Sequence, residues 1–499
     1  MKTSLRTRTR RFLLETLEDR CVLSATFGEN ALITTATGQL EVVPLAAGQS
    51  LQDLRAAYPS ALSIEPDYRI QIERTPNDTS YTSLYAMPLI DAPEAWDTTV
   101  GSTRMSVAVI DTGIDYTHPD LFLNIWINQR EIPSLVRSNL IDTDNDELIT
   151  FYDLNDTRNQ GTGKISDLNA NGRIDAGDIL RPSSQGGWAD GTDAGSNGYT
   201  DDLVGWNFVN NTNNPFDDEG HGTHVAGTIG AIGNNSRGVV GVNWRVQMAA
   251  LKFLDANGSG STSAAVSALN YAVRNGIPIS NNSWGGGGFS TSLSNAISSA
   301  RTAGHIFVAA AGNSNRNNDT TANYPSNYNF DNVVSVASTT STDARSSFSN
   351  FGATTVDLAA PGSSILSTLP NNRYGSLSGT SMATPHVAGA IALVWSTDTT
   401  QTYSEVIDRI LDNVDVVSGL NGVVATSGRL NVNKALQAGT PVDSTGPRVA
   451  SAVADSATRP TRIRLTFSEA INPASFTLAD ITGFVGPNGV SLNATSITA

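Results

Sequence analysis

Disulfides cannot hold this chain together. Its 499 residues contain one cysteine, Cys21, so no intrachain bridge can form and stability is expected from packing, with bound ions as the available supplement. Charge is also scarce: 16% of residues are charged, and 31 basic side chains face 47 acidic ones, a net of −16. That balance argues against a nucleic-acid partner, whose phosphates need a basic face. It leaves cation binding or simple solubility as uses for the acid. No apolar run approaches the ~20 residues of a membrane-spanning helix. Five histidines are the whole supply of side chains that ordinarily titrate near neutral pH. The hydrophobic content, 39%, is that of a soluble protein, and the length allows more than one domain.

Against this background residues 379–389, GTSMATPHVAG, are dense with signals. Gly379 supplies a turn, Thr380 and Ser381 supply hydroxyls for a helix start, and the small run Val387, Ala388, Gly389, Ala390 allows close packing. Pro385 is expected in the first turn, where a proline costs no helical hydrogen bond. A serine at such a terminus lies in a cleft, with its own N–H and the helix dipole directed at any oxyanion formed there. Two further blocks accompany it. Asp111 ends the buried β run 107–110 in SVAVIDTGID, and His221 opens HGTHVAG, a glycine turn into another helix.

Apolar runs at 107–110, 249–254, 277–281, 306–311 and 333–337 alternate with helical patterns such as 263–274 and 292–303, and 92–100 reads as a helix before the first run. Continuous apolar strands between helices predict an α/β fold, a parallel sheet covered on both faces. Ligands of such sheets sit at the carboxyl ends of the strands, where Asp111 falls.

The order Asp111, His221, Ser381, with motifs matching nearly letter for letter, resembles the subtilisin-like serine peptidases. The resemblance covers roughly residues 75–437. It implies a subtilisin-like sheet, protein or peptide substrates, and Ser381 as nucleophile, His221 as base and Asp111 as its orienting acid. His118, His224, His305 and His386 are read as structural. Asn313 in VAAAGNS matches the family's oxyanion-hole asparagine. The resemblance also implies substrate walls at Ser283, Trp284 and Gly285 of SWGGGG and at Ala310 and Gly312, with Asn323 at the base of the pocket before the scissile bond. A polar amide there predicts broad rather than strictly basic specificity. Asp120 matches a carboxylate that binds structural calcium, with Asn235 as a side-chain ligand in the loop 233–239. That loop is one residue longer than the common form.

Asp111 and His221 are 110 positions apart, and the excess is acidic: residues 128–220 hold 17 Asp and Glu against 6 Lys and Arg. Within an insertion at 128–216, Asp167, Asn169, Asn171, Gly172, Asp175 and Asp178 occupy positions 1, 3, 5, 6, 9 and 12 of an EF-hand pattern, with Ile174 at apolar position 8. Asp142, Asp144, Asp146 and Asp153 fit positions 1, 3, 5 and 12 of a second copy, although Glu147 replaces the turn glycine. A weaker third candidate is Asp193, Asn197, Gly198 and Asp201, where Gly195 leaves position 3 empty. The expectation is more than one structural Ca2+; the alternative is a solvated acidic loop.

The remaining segments flank this peptidase-like domain, 75–437. Residues 1–28 carry LEDRCVLSA, which resembles an N-terminal sorting segment of exported bacterial proteins; the alternative is a disordered basic tail. Residues 29–74, with strand-like runs at 40–44 and 68–72 and a helix candidate at 50–58, resemble the end of a small α+β propeptide. The alternative is a permanent extension. Residues 438–499 read as a linker and a partial immunoglobulin-like β module. The whole reads as an exported, calcium-stabilised, monomeric endopeptidase with no transmembrane segment. A catalytically silent calcium-binding surface protein on the same fold is the alternative. An esterase would want G-x-S-x-G and the order Ser, Asp, His.

Overall fold

The computed structural model of the chain describes residues 30–44, 51–66, 75–438, 449–454, 463–467, 484–485 and 491–492. The expected sorting segment, the strand-like run at 68–72 and most of the C-terminal linker and β module lie outside the described residues.

Near the N-terminus, β1 (Asn30–Thr34) pairs antiparallel with β2 (Leu40–Pro44) and β3 (Ser63–Pro66), and the helix α1 (Leu51–Ala57) lies between β2 and β3 in sequence. This small α+β unit fits a propeptide-like segment. The main sheet has nine strands. In chain order its strands, with one separate hairpin, are β4 (Gly101–Asp111), β5 (Gly205–Asn207), β6 (Arg245–Lys252), β7 (Ile279–Asn282), β8 (Ile306–Ala310), β9 (Val333–Thr339), β10 (Leu358–Pro361), the hairpin β11 (Ile365–Leu369) and β12 (Arg373–Leu377), then β13 (Asp415–Val416) and β14 (Gly428–Arg429). The spatial order is β13-β14-β10-β9-β8-β7-β4-β6-β5. Every pairing in it is parallel except β13 with β14.

The five predicted runs coincide with β4, β6, β7, β8 and β9, which are buried on both faces; β7 differs in being mostly polar, its buried Ser280, Asn281 and Asn282 hydrogen-bonded within the fold. Along β4, Val107 and Val109 feed one core cluster while Ala108 and Ile110 feed the other. The first cluster includes α3 (His221–Gly230) and α6 (Thr380–Trp395); the second includes α4 (Thr262–Arg274) and α5 (Thr291–Thr302). The helix expected at 92–100 is Ala92–Thr98, with Pro93 in its first turn. The C-terminal segment contributes the antiparallel pair Val449–Ala454 with Ile463–Phe467.

Candidate active site

Parallel strands bring their carboxyl ends to one edge, and that edge collects the chemistry. Asp111 is the last residue of β4 and is fully buried. The loops after it are tied to the loop before His221 by a buried lysine. Lys252 Nζ donates to the carbonyls of Thr112 (2.7 Å) and Leu254 (2.8 Å) and to Asp218 Oδ1 (2.6 Å). Gly220, at φ 121°, takes the left-handed turn that starts α3. His221 Nδ1 then stands 2.8 Å from Asp111 Oδ1. Burial works against the charged imidazole. The Asp111 charge and hydrogen bond outweigh it, helped by Glu219 and Asp217, and the pKa rises to about 9.

Ser381 lies in the first turn of α6, 9% exposed. Pro385 does not sit in the first turn, as the sequence suggested; it is the sixth residue of the helix. A proline there withholds the N–H that would bond the carbonyl four residues back, which is that of Ser381. Ser283 Oγ donates to this carbonyl instead, at 2.8 Å, and itself accepts from Asn281 Nδ2 at 2.9 Å. The proline and the strand end β7 therefore fix the turn that carries Ser381. Among the described residues no hydrogen bond joins Ser381 Oγ to His221; such contacts tighten on substrate binding.

Asn313 follows β8 and is exposed to the cleft. Its Oδ1 is occupied, accepting from Thr380 N (2.8 Å) and Thr380 Oγ1 (3.0 Å), which leaves Nδ2 as the outward donor. A Cβ placed on Gly379 would lie 3.5 Å from Asn313 Nδ2 and 3.5 Å from Ser381 N. The two donors flank one point, and glycine keeps that point clear. The other four histidines are structural, as expected. His224 bonds the carbonyls of Ile365 and Gly375, His305 bonds Ile277 O and Ser280 Oγ, His386 bonds Met382 O, and His118 bonds Asp120 N.

The model of the subtilase family matches residues 102–439. The chain is 34% identical to thermitase of Thermoactinomyces vulgaris over 364 residues, which are 73% of this chain and 99% of that protein. It is also 34% identical to a thermophilic serine proteinase of Bacillus sp. (strain AK1), over 74% of this chain and 70% of the relative. The chain belongs to the subtilase family. Subtilisin DY of Bacillus licheniformis is 45% identical over 42% of this subtilase and 75% of its own length. The enzyme is a serine-type endopeptidase, and no helix of the described residues is long and apolar enough to cross a membrane.

Around the subtilase cleft, Gly285 and Gly312 both approach Asn323: a Cβ on either would meet its Nδ2, at 3.2 and 3.1 Å. That Nδ2 is buried with no partner. Ala310 is buried at the end of β8. Trp284 is half-buried, its ring 4.9 Å from that of Phe253, so only part of the indole is left to face a substrate. Ser283 is buried, its hydroxyl spent on the Ser381 carbonyl.

At the predicted calcium loops the subtilase chain brings acids together. Asp120 accepts from Asn235 Nδ2 (2.8 Å), Val239 N (3.0 Å) and Tyr374 Oη (2.9 Å). Asp78, which sequence reasoning missed, joins this group: Asn234 N donates to its Oδ2 at 2.7 Å, while Oδ1 is buried and unpartnered. Burial pushes its pKa up to about 6, and the Asp120 charge adds to the rise. No local pattern marks Asp78; it arrives from before β4 by tertiary packing.

In the insertion, Asp142, Asp144 and Asp146 converge, with carboxylate oxygens within 4.8 Å of one another. Asp153 caps the following turn, accepting from Thr143 N and Thr150 N. In the Asp167 loop, Asp167 Oδ2 accepts from Gly172 N at 2.7 Å, and Asp178 Oδ1 accepts from Leu168 N and Asn169 N. Asp175 draws in the amides of Asn169 and Asn171. Of the third candidate, Asp201 is turned elsewhere, its Oδ1 accepting from Asp190 N at 2.8 Å.

Proposed function

We propose that this endopeptidase works through Ser381 as nucleophile, His221 as general base, Asp111 as the acid that orients and stabilises the imidazolium, and Asn313 with the Ser381 N–H as oxyanion donors. The 2.8 Å contact between His221 Nδ1 and Asp111 Oδ1 carries the reading. It leaves Nε2 as the nitrogen that takes the serine proton and returns it to the leaving amine. Casein digestion with and without an active-serine phosphonate tests it, with the labelled peptide mapped. Label on Ser381 and loss of digestion are expected; label on another serine, or digestion insensitive to the reagent, overturns the assignment.

The raised imidazole pKa sets a pH dependence. His221 must be neutral to accept the proton, so kcat/KM rises with pH through its ionisation, and the acid limb lies above the ordinary 6.5, toward about 9. Glu219 Oε2 accepts from His221 N at 2.7 Å, so its charge favours the imidazolium. Glu219→Gln keeps an acceptor and removes the charge, and the limb should move to lower pH. A profile that stays in place or moves upward rejects this role for Glu219.

The unpartnered Asn323 amide supports broad specificity with no fixed charge in the pocket. Asn323→Asp places a carboxylate between Gly285 and Gly312 and should raise kcat/KM for Lys over Leu before the scissile bond by ~10-fold, the effect of about 1.4 kcal/mol. An unchanged ratio in paired peptide assays removes Asn323 from the pocket. The enzyme is read further as exported and monomeric, with residues 29–74 as its own propeptide, supported by the small α+β unit of 30–66. Structural Ca2+ is supported at the Asp142 loop by the converging Asp142, Asp144 and Asp146, at the Asp78–Asp120–Asn235 group by the orphaned Asp78 Oδ1, and at the Asp167 loop by its EF-hand spacing.

A further inference from the structure

Asn313 stands on irregular backbone, beyond β8 and after the turn at Gly312 (φ 112°). Among the described residues no backbone–backbone hydrogen bond involves it. Thr380 holds its Oδ1, yet a side-chain amide is aimed only as well as the backbone beneath it is fixed. That backbone is fixed by a second segment, 348–351, which runs alongside the loop. Asn315 N donates to Phe348 O (2.7 Å), Asn350 N to Gly312 O (2.8 Å), Phe351 N to Arg316 O (3.0 Å) and Asn318 N to Phe351 O (2.6 Å).

Asn350 contributes more than backbone. It is 2% exposed, and both ends of its amide are spent on the loop. Oδ1 accepts from Ser314 N (2.9 Å) and Arg316 N (3.1 Å), while Nδ2 donates to Ala311 O (3.0 Å) and Asn318 Oδ1 (3.0 Å). Asn318, equally buried, turns its own Nδ2 to the same Ala311 carbonyl at 2.9 Å. One amide therefore grips the chain on both sides of Asn313, at Ala311 before it and at Ser314 and Arg316 after it. A Cβ on Gly312 would lie 2.5 Å from Asn350 Nδ2, so the amide also fills the space against the turn. A buried polar network satisfied at every atom is a rigid support.

We propose that Asn350 is a positioning residue for the oxyanion hole: its amide, braced by Asn318, sets the backbone that aims Asn313 Nδ2 at the developing charge. The proposal rests on the reading of Asn313 as an oxyanion donor. Asn350 acts through that donor, since the four hydrogen bonds of its amide all end within 311–318. The contact it serves strengthens as the carbonyl oxygen gains charge, so its loss falls on kcat rather than on KM.

Its test is a double-mutant cycle on peptide hydrolysis by the full-length enzyme, with kcat taken per inhibitor-titrated site. Asn313→Ala should lower kcat by ~10²–10³, the loss of a whole donor. Asn350→Ala, which misaims that donor, should lower kcat by ~10-fold and leave KM within about twofold of the parent. Added to Asn313→Ala, it should cost less than about twofold more, whereas general loosening of the site would repeat its full factor. The acid limb of the pH profile should stay in place, because the amide bonds neither His221 nor Asp111. Asn318→Ala removes only the brace; it should give a smaller kcat loss in the same direction, and it takes the place of Asn350→Ala in the cycle should that variant not fold. An unchanged kcat in folded Asn350→Ala, a full repeat of its loss in the Asn313→Ala background, or a displaced acid limb overturns the positioning role. Parent-like kcat in Asn313→Ala overturns instead the donor assignment beneath it.

Discussion

Ser381→Ala should reduce peptide hydrolysis by ~10⁶ in kcat, the loss found when subtilisin itself is deprived of its nucleophile, and should leave the melting temperature almost unchanged. The two halves of that expectation have separate causes. In the proposed mechanism the Ser381 hydroxyl attacks the carbonyl, and alanine has no atom to replace it. For stability, the group that anchors this turn is the Ser381 carbonyl, which the substitution keeps together with its 2.8 Å bond from Ser283 Oγ. Alanine in the first turn of α6 also has the higher helix propensity. Peptide binding should survive, since Gly285, Gly312 and Asn323 are untouched. Ser283→Ala gives the reverse pattern: the Ser381 carbonyl, already deprived of its helical partner by Pro385, loses its substitute donor, at a cost of about 1–3 kcal/mol. Turnover of Ser381→Ala within tenfold of the parent rejects the nucleophile assignment.

The parts of this enzyme that could be read from its sequence are those whose signals are local. The sheet's strands at 107–110 and 306–310 are continuous apolar runs because both faces are buried, and the first delivers Asp111 to the strand end in one step. The motifs around His221 and Ser381 encode a turn and a helix start within a few residues. What escaped the sequence is tertiary. Pro385 looked like a first-turn proline because the helix start was judged from Ser381 onward. Its consequence, a freed carbonyl, becomes meaningful only beside Ser283, 98 positions earlier. Asp78 meets Asp120 and Asn235 across the fold. In the third loop a linear pattern selects Asp201, whose Oδ1 in the fold accepts from Asp190 N outside the pattern.

EGTA should destabilise the enzyme more than any single surface substitution. On the proposed reading the acidic insertion needs bound cations to offset its carboxylate repulsion, since one cysteine gives no intrachain disulfide. An ion at ~100 times its dissociation constant adds about 2.7 kcal/mol per site, and each kcal/mol is worth roughly 2–4 °C in a domain of 150–250 residues, less in a larger one. Loss of several ions should therefore lower the melting temperature by on the order of 10 °C. Autolysis should begin within 128–216, because the four-residue helices Phe151–Leu154 and Ala176–Ile179 are too short to persist without the loops that cap them. The double variant Asp167→Ala plus Asp178→Ala should show part of this loss in saturating calcium, since it deletes the first ligand and the residue that holds the N–H groups of Leu168 and Asn169. Turnover per inhibitor-titrated site should change little, because Asp111, His221 and Ser381 stand on the sheet edge and its helices rather than on the loops. Melting insensitive to EGTA, with no calcium detected by calorimetry, would mean that the insertion is a solvated acidic loop and that the metal assignments fail together.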